Sequence, residues 1–244
     1  MYSSTFFGKK ALVTGGAKGI GLEIALALKK SGCDVIVTST AGKIDDEEIT
    51  RQLECIKLDF FDKESVKDAL NRLEDKGPFN ILINNAGIYM PENILDINDE
   101  IWKKTFEVNV YGPMMMIRHI AKGMIKLGGG KIINISSIAG IVTKKNSGAY
   151  ASSKQALLGL TRAAAVDLAE YKILVNAICP GPTKTSMVDR LLTGEAQEKL
   201  LQTIPLSRLA EPHEVANIVI FLCSDSNSYV TGQYWCIDGG RTIV

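Results

Sequence analysis

Short apolar runs rich in β-branched residues recur along this chain between longer amphipathic segments, and no other feature restricts the fold so tightly. Ala11–Thr14, Val35–Thr38, Cys55–Leu58, Ile81–Ile83, Lys131–Ile135 and Leu174–Ile178 read as strands buried on both faces. Between them, Ile20–Lys30, Lys63–Lys76, Glu100–Lys126 and Ala151–Tyr171 carry a helical period and are long enough to serve as crossovers. Strand, helix, strand, repeated, makes a parallel sheet covered by helices on its faces. No linker-like stretch, internal repeat or low-complexity run interrupts the 244 residues. The expectation is one doubly wound α/β domain spanning 1–244.

Charge and cysteine content narrow the function classes. With 28 basic and 27 acidic residues the formal net charge is +1, so no global field holds a polyanion or an anionic membrane surface. No nucleic-acid partner is expected, and no membrane association. Nothing approaches the roughly 18 to 20 apolar residues of a spanning helix, and Met1 to Gly8 has no apolar signal core. A cytoplasmic location follows as the expectation. Cys33, Cys55, Cys179, Cys223 and Cys236 lack C-x-x-C spacing and a histidine pair, which argues against a metal site and a disulfide framework. They read as thiols in a reducing compartment.

The first strand runs into Thr14-Gly15-Gly16-Ala17-Lys18-Gly19-Ile20-Gly21 and then an apolar helix. Glycine permits the tight turn and lets backbone N–H groups approach a pyrophosphate at the helix N-terminus. An ordinary glycine-rich turn would look the same, but the strand before and helix after are what a dinucleotide loop needs. An acid at the end of the second strand would accept from a free ribose hydroxyl and repel a 2′-phosphate; here that end reads Thr38-Ser39-Thr40. Lys18 stands where a cation would pair with the extra phosphate. Both features favour NADP(H), with NAD(H) the alternative if Lys18 is only a solvated loop lysine.

The chemical signal lies further on. Thirteen residues beyond Ser137 stands Tyr150, and Lys154 follows it by four, so a helix starting near the tyrosine projects both from one face. A free phenol, with a pKa of about 10, exchanges protons poorly near neutrality, and an adjacent ammonium would lower it. A serine hydroxyl at the end of the neighbouring strand would hold a substrate oxygen near the phenol. Taken singly, Tyr150 could be a partly buried aromatic and Lys154 a solvated lysine. His119 and His213 fall outside every motif and read as a helix residue and part of a helix start after Pro212.

Taken together, these motifs resemble the short-chain dehydrogenases/reductases over nearly the whole chain. Thr14–Gly21 resembles their T-G-x-x-x-G-x-G loop, Asn84-Asn85-Ala86-Gly87 their N-N-A-G, Asn109 their helical V-N, and Tyr150 to Lys154 their Y-x-x-x-K. Pro180-Gly181 with Thr183 and Thr185 is similar to their P-G-x-x-x-T, and Asp238-Gly239-Gly240 to their D-G-G. The resemblance implies a Rossmann-type seven-stranded parallel sheet of order 3-2-1-4-5-6-7. It implies that Tyr150 is the general acid or base, that Lys154 holds the nicotinamide ribose, and that Ser137 orients the substrate. Asn109 would position a water joining Lys154 to solvent, though the residue alone could merely bend its helix. Gly15, Lys18, Gly19, Ile20, Gly21 and Thr40 would line the nucleotide end. Asp59 would meet the adenine amino group with Phe60 behind it, Asn85, Ala86 and Gly87 would run beneath the ribose, and Thr183 and Thr185 would reach the carboxamide and phosphate end.

The implied activity interconverts a carbonyl and a secondary alcohol by hydride transfer, on a small-molecule substrate. Ile132–Gly140 and Tyr229–Gly240 read most like 3-oxoacyl-[acyl carrier protein] reductases. Where that resemblance leads one to expect arginines for an acidic carrier protein, this chain has Gly128 and Tyr171; Lys131, Lys172, Lys144 and Lys145 would have to substitute. Ser186–Ile204 reads as an amphipathic lid, with Met187, Leu191 and Leu192 opposed to Asp189, Arg190, Glu195 and Glu198. A cofactor-binding scaffold without turnover is the competing class, and nucleotide-sugar epimerisation the competing chemistry, for which the short C-terminal segment leaves little room. The resemblance also implies a homo-oligomer, a tetramer or dimer, with Leu157, Leu160 and Ala164 expected on an exposed helix face.

Overall fold

The computed structural model describes residues 6–185 and 194–244. Seven parallel strands form one sheet: β1 (Lys10–Val13), β2 (Asp34–Ser39), β3 (Glu54–Lys57), β4 (Ile81–Asn84), β5 (Gly130–Ile135), β6 (Ile173–Pro180) and β7 (Tyr234–Ile237), in the order β3-β2-β1-β4-β5-β6-β7. The predicted doubly wound topology is the one observed, and the six predicted strands lie within two residues of their expected ends. The seventh, β7, does not stand out in the sequence because its run, Tyr234-Trp235-Cys236-Ile237, holds a single β-branched residue and lies only half-buried at the sheet edge.

Period-2 alternation sends side chains of each strand into two cores. Ala11 and Val13 of β1 face a layer containing α1 (Gly19–Lys30) and, near the C-terminus, a helix over Pro212–Cys223. Leu12 faces the opposite layer, with α3 (Lys63–Lys76) and later helices; a single turn, α2 (Glu47–Thr50), precedes it. Asp62 accepts from Glu64 N and Ser65 N to start α3, and Asn98 accepts from Ile101 N at 2.9 Å to start α4 (Asp99–Phe106). Caps of this kind each stabilise by about 1 kcal/mol.

Glu100–Lys126, expected as one regular helix, is α4 followed by a π-helical turn, Glu107–Tyr111, and α5 (Gly112–Lys126). The next helix, α6, spans Gly148–Leu168 and continues as a 3₁₀ turn to Tyr171. It is fixed over the sheet by a buried polar chain: Asn84 Nδ2 donates to Asn134 Oδ1, and Asn134 Nδ2 donates to Thr161 Oγ1, both at 2.9 Å. α7 (Glu195–Gln202) lies in the segment read as a lid, while Met187, Asp189, Arg190, Leu191 and Leu192 lie outside the described residues. The last helix, α8 (Pro212–Cys223), starts with a capping box between Glu211 and Glu214 and carries His213 in its first turn.

One expectation is corrected. Leu157 and Ala164 are buried in the protein's own interior, and Leu160 packs against it, because α6 lies flat on the sheet with that stripe inward. The outward stripe runs through Gln155, Gly159, Arg162 and Val166. No described helix is long and apolar enough to cross a membrane, and the described residues hold no cluster suited to a metal ion.

Candidate active site

Both ends of the proposed site lie at the carboxyl ends of the central strands. At the nucleotide end, β1 turns through Gly15, whose φ of +63° suits glycine, and a Cβ there would lie 2.9 Å from Ala86 Cα. Gly21 is more restricted still, since its Cβ would fall 2.3 Å from Asn85 Nδ2. Asn85 explains that crowding: its Nδ2 donates to the carbonyls of Thr14 and Gly15 at 3.0 and 2.9 Å. The Asn85 amide nitrogen therefore clamps the loop onto β4 and is spoken for by protein carbonyls. Thr14 Oγ1 completes the clamp, accepting from Asn85 N and Ala86 N.

α1 begins at Lys18 without a side-chain cap and has no acidic residue in its first turn, so the N–H groups at Gly19, Ile20 and Gly21 point to an external acceptor. Thr185 lies against Gly19, its methyl 3.4 Å from where a Cβ would stand. The Thr183 hydroxyl donates instead to Gly181 O at 3.0 Å. At the end of β2, Ser39 Oγ is engaged with the backbone of Lys43, leaving Thr40 and Lys18 exposed. Asp59 Oδ1 accepts from Phe61 N, and the Phe60 ring turns into the core under Gly112. This uncapped, glycine-cradled helix start fits a dinucleotide pyrophosphate.

The chemical end is built from side chains. Ser137 lies two residues past the end of β5 and caps a 3₁₀ turn, Ile138–Gly140, its Oγ accepting from Ala139 N at 3.1 Å. Tyr150 and Lys154 occupy the first turns of α6. Lys154 is buried, its Nζ donating to Ile135 O at 2.9 Å and standing 5.7 Å from the Tyr150 ring centroid. Asn109, turned inward by the π-helical turn, accepts from Ile88 N at 2.9 Å and donates through Nδ2 to Ile88 O and Ser153 Oγ, each at 3.0 Å. Ser153 Oγ in turn donates to Tyr150 O at 2.7 Å. Asn109 and Lys154 converge on Gly87, where a Cβ would lie 3.3 Å from both Oδ1 and Nζ. Ser137, Tyr150, Lys154 and Asn109 thus occupy one neighbourhood.

Sequence reasoning missed three participants. Ser153 links Asn109 to the Tyr150 helix; Ser136 Oγ donates to Lys154 O at 2.9 Å; and Tyr89 packs edge-on to Tyr150 with ring centroids 4.9 Å apart. Each depends on a contact across the fold, although Tyr89, two residues beyond Gly87, could have been suspected from that motif.

Electrostatics depart from the expectation of a lowered phenol. Burial pushes the Tyr150 pKa up; a hydrogen bond with Ser137 pulls it back without prevailing. Burial likewise draws Lys154 down to about 8, with no carboxylate among the described residues to oppose it. Buried Cys179 nearby is raised to about 12 and stays a thiol. Asp238 accepts from Gly240 N and Thr242 N and packs against Gly181, so the D-G-G and P-G segments brace each other.

Comparison with known proteins agrees with the sequence motifs. The family described as Enoyl-(Acyl carrier protein) reductase matches residues 15–242. The chain is 36% identical over 241 residues to 3-oxoacyl-[acyl-carrier-protein] reductase of Aquifex aeolicus, covering 96% of this chain and 97% of the relative. A solved 7α-hydroxysteroid dehydrogenase, complexed with NADH and 7-oxo glycochenodeoxycholic acid, superposes with a TM-score of 0.91 at 33% identity, covering 98% of this chain and 96% of that one. A candidate NAD(P) dependent gluconate 5-dehydrogenase from Beutenbergia cavernae, solved with NADP at low occupancy, gives a TM-score of 0.92 at 30% identity and covers 100% and 99%. Matched almost from end to end in both sequence and fold, the chain belongs to the short-chain dehydrogenase/reductase family of oxidoreductases.

Proposed function

We propose that this protein interconverts a carbonyl and a secondary alcohol with a nicotinamide cofactor, Tyr150 exchanging the proton. The observation that carries the reading is the meeting of Ser137, Tyr150 and Lys154 at the carboxyl edge of β5, beside an uncapped glycine-rich helix start. When bound, the cofactor gives or takes a hydride. The chain's own residues do the rest. The Ser137 hydroxyl and the phenol hold the carbonyl oxygen, and in reduction Tyr150 donates its proton to the oxygen as charge develops there. Burial favours the neutral phenol, the form that reduction uses. Lys154, next to Gly87, is placed to hold a ribose hydroxyl, and Asn109 fixes the backbone on which both stand.

NADP(H) is the cofactor this reading favours, because no carboxylate stands at the end of β2 and Lys18 is exposed in the loop. Titration should show tighter binding of NADPH than NADH, and Lys18→Ala should shrink the difference about fivefold. Equal affinities in the unaltered protein would count against the preference. We also propose a homo-oligomer: edge strand β7 begins at exposed Tyr234, and Tyr229 before it and Ile243 and Val244 after it are exposed, an arrangement that a second copy would cover. Light scattering at micromolar concentration should give a multiple of 26.5 kDa.

A second reading, 3-oxoacyl-[acyl-carrier-protein] reduction, has the Aquifex relative in its favour and the absent arginines against it. A panel of ketones, aldehydes and alcohols followed by nicotinamide absorbance, with acetoacetyl thioesters of the carrier protein and of coenzyme A included, tests both. A preference for the carrier-protein thioester would select the second reading. Failure of every carbonyl and alcohol with either cofactor would overturn the first.

A further inference from the structure

Beside Tyr150 the site carries a charge that proton transfer does not use. Tyr89 stands against Tyr150, and its phenol lies 3.5 Å from Ser147 Oγ. On Tyr89 rests Lys144, its Nζ 5.4 Å from the ring centroid. The two loops that carry these residues are tied by a backbone bridge between Glu92 and Ser147, the latter buried. Among the described residues Lys144 forms no ion pair, and Glu92, the acid on the facing loop, pairs with no cation.

We infer that Lys144, seated on Tyr89, recognises an anionic group of the substrate, and that the substrate is a keto acid or hydroxy acid with its carboxylate a few bonds from the reacting carbon. The inference rests on the carbonyl–alcohol reading of the preceding section. An exposed lysine ordinarily loses side-chain freedom when it holds an anion, which cancels much of the attraction. Here the ring face already draws the ammonium to one position, and Ser147 and Tyr150 hold the ring. Tyr89 meets Tyr150 on one side and Lys144 on the other, so a substrate whose carbonyl oxygen is held at Tyr150 can lay one substituent along Tyr89 to that ammonium. Apolar neighbours set the character of the rest: Ile94, whose Cδ1 approaches Gly148 at the start of α6, and Ile141 and Val142 beyond the 3₁₀ turn are exposed on the same two chain segments that carry Tyr89 and Lys144. The substrate that suits this wall has an apolar body and one negative charge.

The test uses matched pairs: 4-oxopentanoate, 5-oxohexanoate and 4-oxocyclohexanecarboxylate, each beside its methyl ester, reduced with NADPH. The acid should exceed its ester in kcat/KM through a lower KM, and rising ionic strength should erode the advantage. Lys144→Met should lower the acid-to-ester ratio about fivefold, Lys144→Arg should keep most of it, and Lys145→Met should leave it unchanged. A ratio that is the same in the unaltered protein and in Lys144→Met, or a preference for the esters, overturns the inference. Turnover of neutral ketones with none of the acids also overturns it and leaves the oxidoreductase reading standing. No turnover of any carbonyl with either cofactor overturns that reading itself.

Discussion

The glycine loop ahead of α1 and the first turns of α6 lie on the same edge of one sheet and work by opposite means. The loop presents backbone: its N–H groups are left without caps, its side chains are small, and its one charged residue, Lys18, is exposed. The α6 end presents side chains whose polar atoms are committed to named partners, from Lys154 on Ile135 O to Asn109 on Ile88 and Ser153. A backbone cradle recognises the shared part of two dinucleotides and leaves the choice between them to side chains at its rim. A buried side-chain set fixes one chemistry and leaves the substrate to the walls around it.

Tyr150→Phe strikes the second region alone and should have the largest effect. Turnover should fall by about 10³-fold, with NADPH affinity unchanged within a factor of two by fluorescence titration, because the ring stays and the transferable proton goes. Retention of most activity would break the contrast at its centre. Gly21→Ala strikes the first region. With a Cβ 2.3 Å from Asn85 Nδ2, the clamp must move, and cofactor affinity should weaken by about 100-fold, or some 3 kcal/mol. If affinity survives intact, the loop is not the cradle described.

Ser153→Ala is a finer probe, since Ser153 touches no substrate in the proposed arrangement and acts through Asn109 and the Tyr150 carbonyl. Loss of this buried link should destabilise the fold by about 1 kcal/mol in denaturant melts and lower kcat several-fold at unchanged KM. The last probe concerns pH. Between about 8 and the ordinary lysine value, Lys154 is neutral in the folded protein and protonated in the unfolded chain, so its contribution makes stability rise with pH across that window. Below about 8 the cost of burying the ammonium is present in full. Lys154→Met should flatten that part of the profile in thermal melts; an unchanged slope would mean that the ammonium keeps its charge in the fold.

The same contrast explains what was legible in the sequence. The strands around the site were readable because burial on both faces leaves continuous apolar runs, and Tyr150 with Lys154 because four residues make one helical turn. The run of β7, Tyr-Trp-Cys-Ile, has only one β-branched residue and is half-buried at the edge, so it does not stand out in the same way. The inward stripe of α6 shows the limit of periodicity: Leu157, Leu160 and Ala164 do share a face, but spacing does not say whether a sheet or another subunit covers it. Ser153, Ser136 and Tyr89 gain their meaning only from partners 3 to 61 positions away. The motif puts Asn85 in the right loop, yet its duty as a clamp shows only in its bonds to the carbonyls of Thr14 and Gly15 and its closeness to Gly21. The lowered phenol was expected from the charge of Lys154 alone; burial, which acts on both groups and opposes both charges, proved the larger influence.

The π-helical turn at Glu107–Tyr111 has a consequence for how this chain can change in length. Each residue of a helix advances its phase by about 100°, so the wide turn sets α4 and α5 out of step with each other. Thr105, fully buried before the turn, and Met116, fully buried after it, keep their faces only because the offset is there. Deleting one residue between them would bring the two halves back into step, carry Thr105 about a quarter-turn out of the interior, and swing Asn109 off Ile88. The number of residues in this turn is as much a part of the site as their identity.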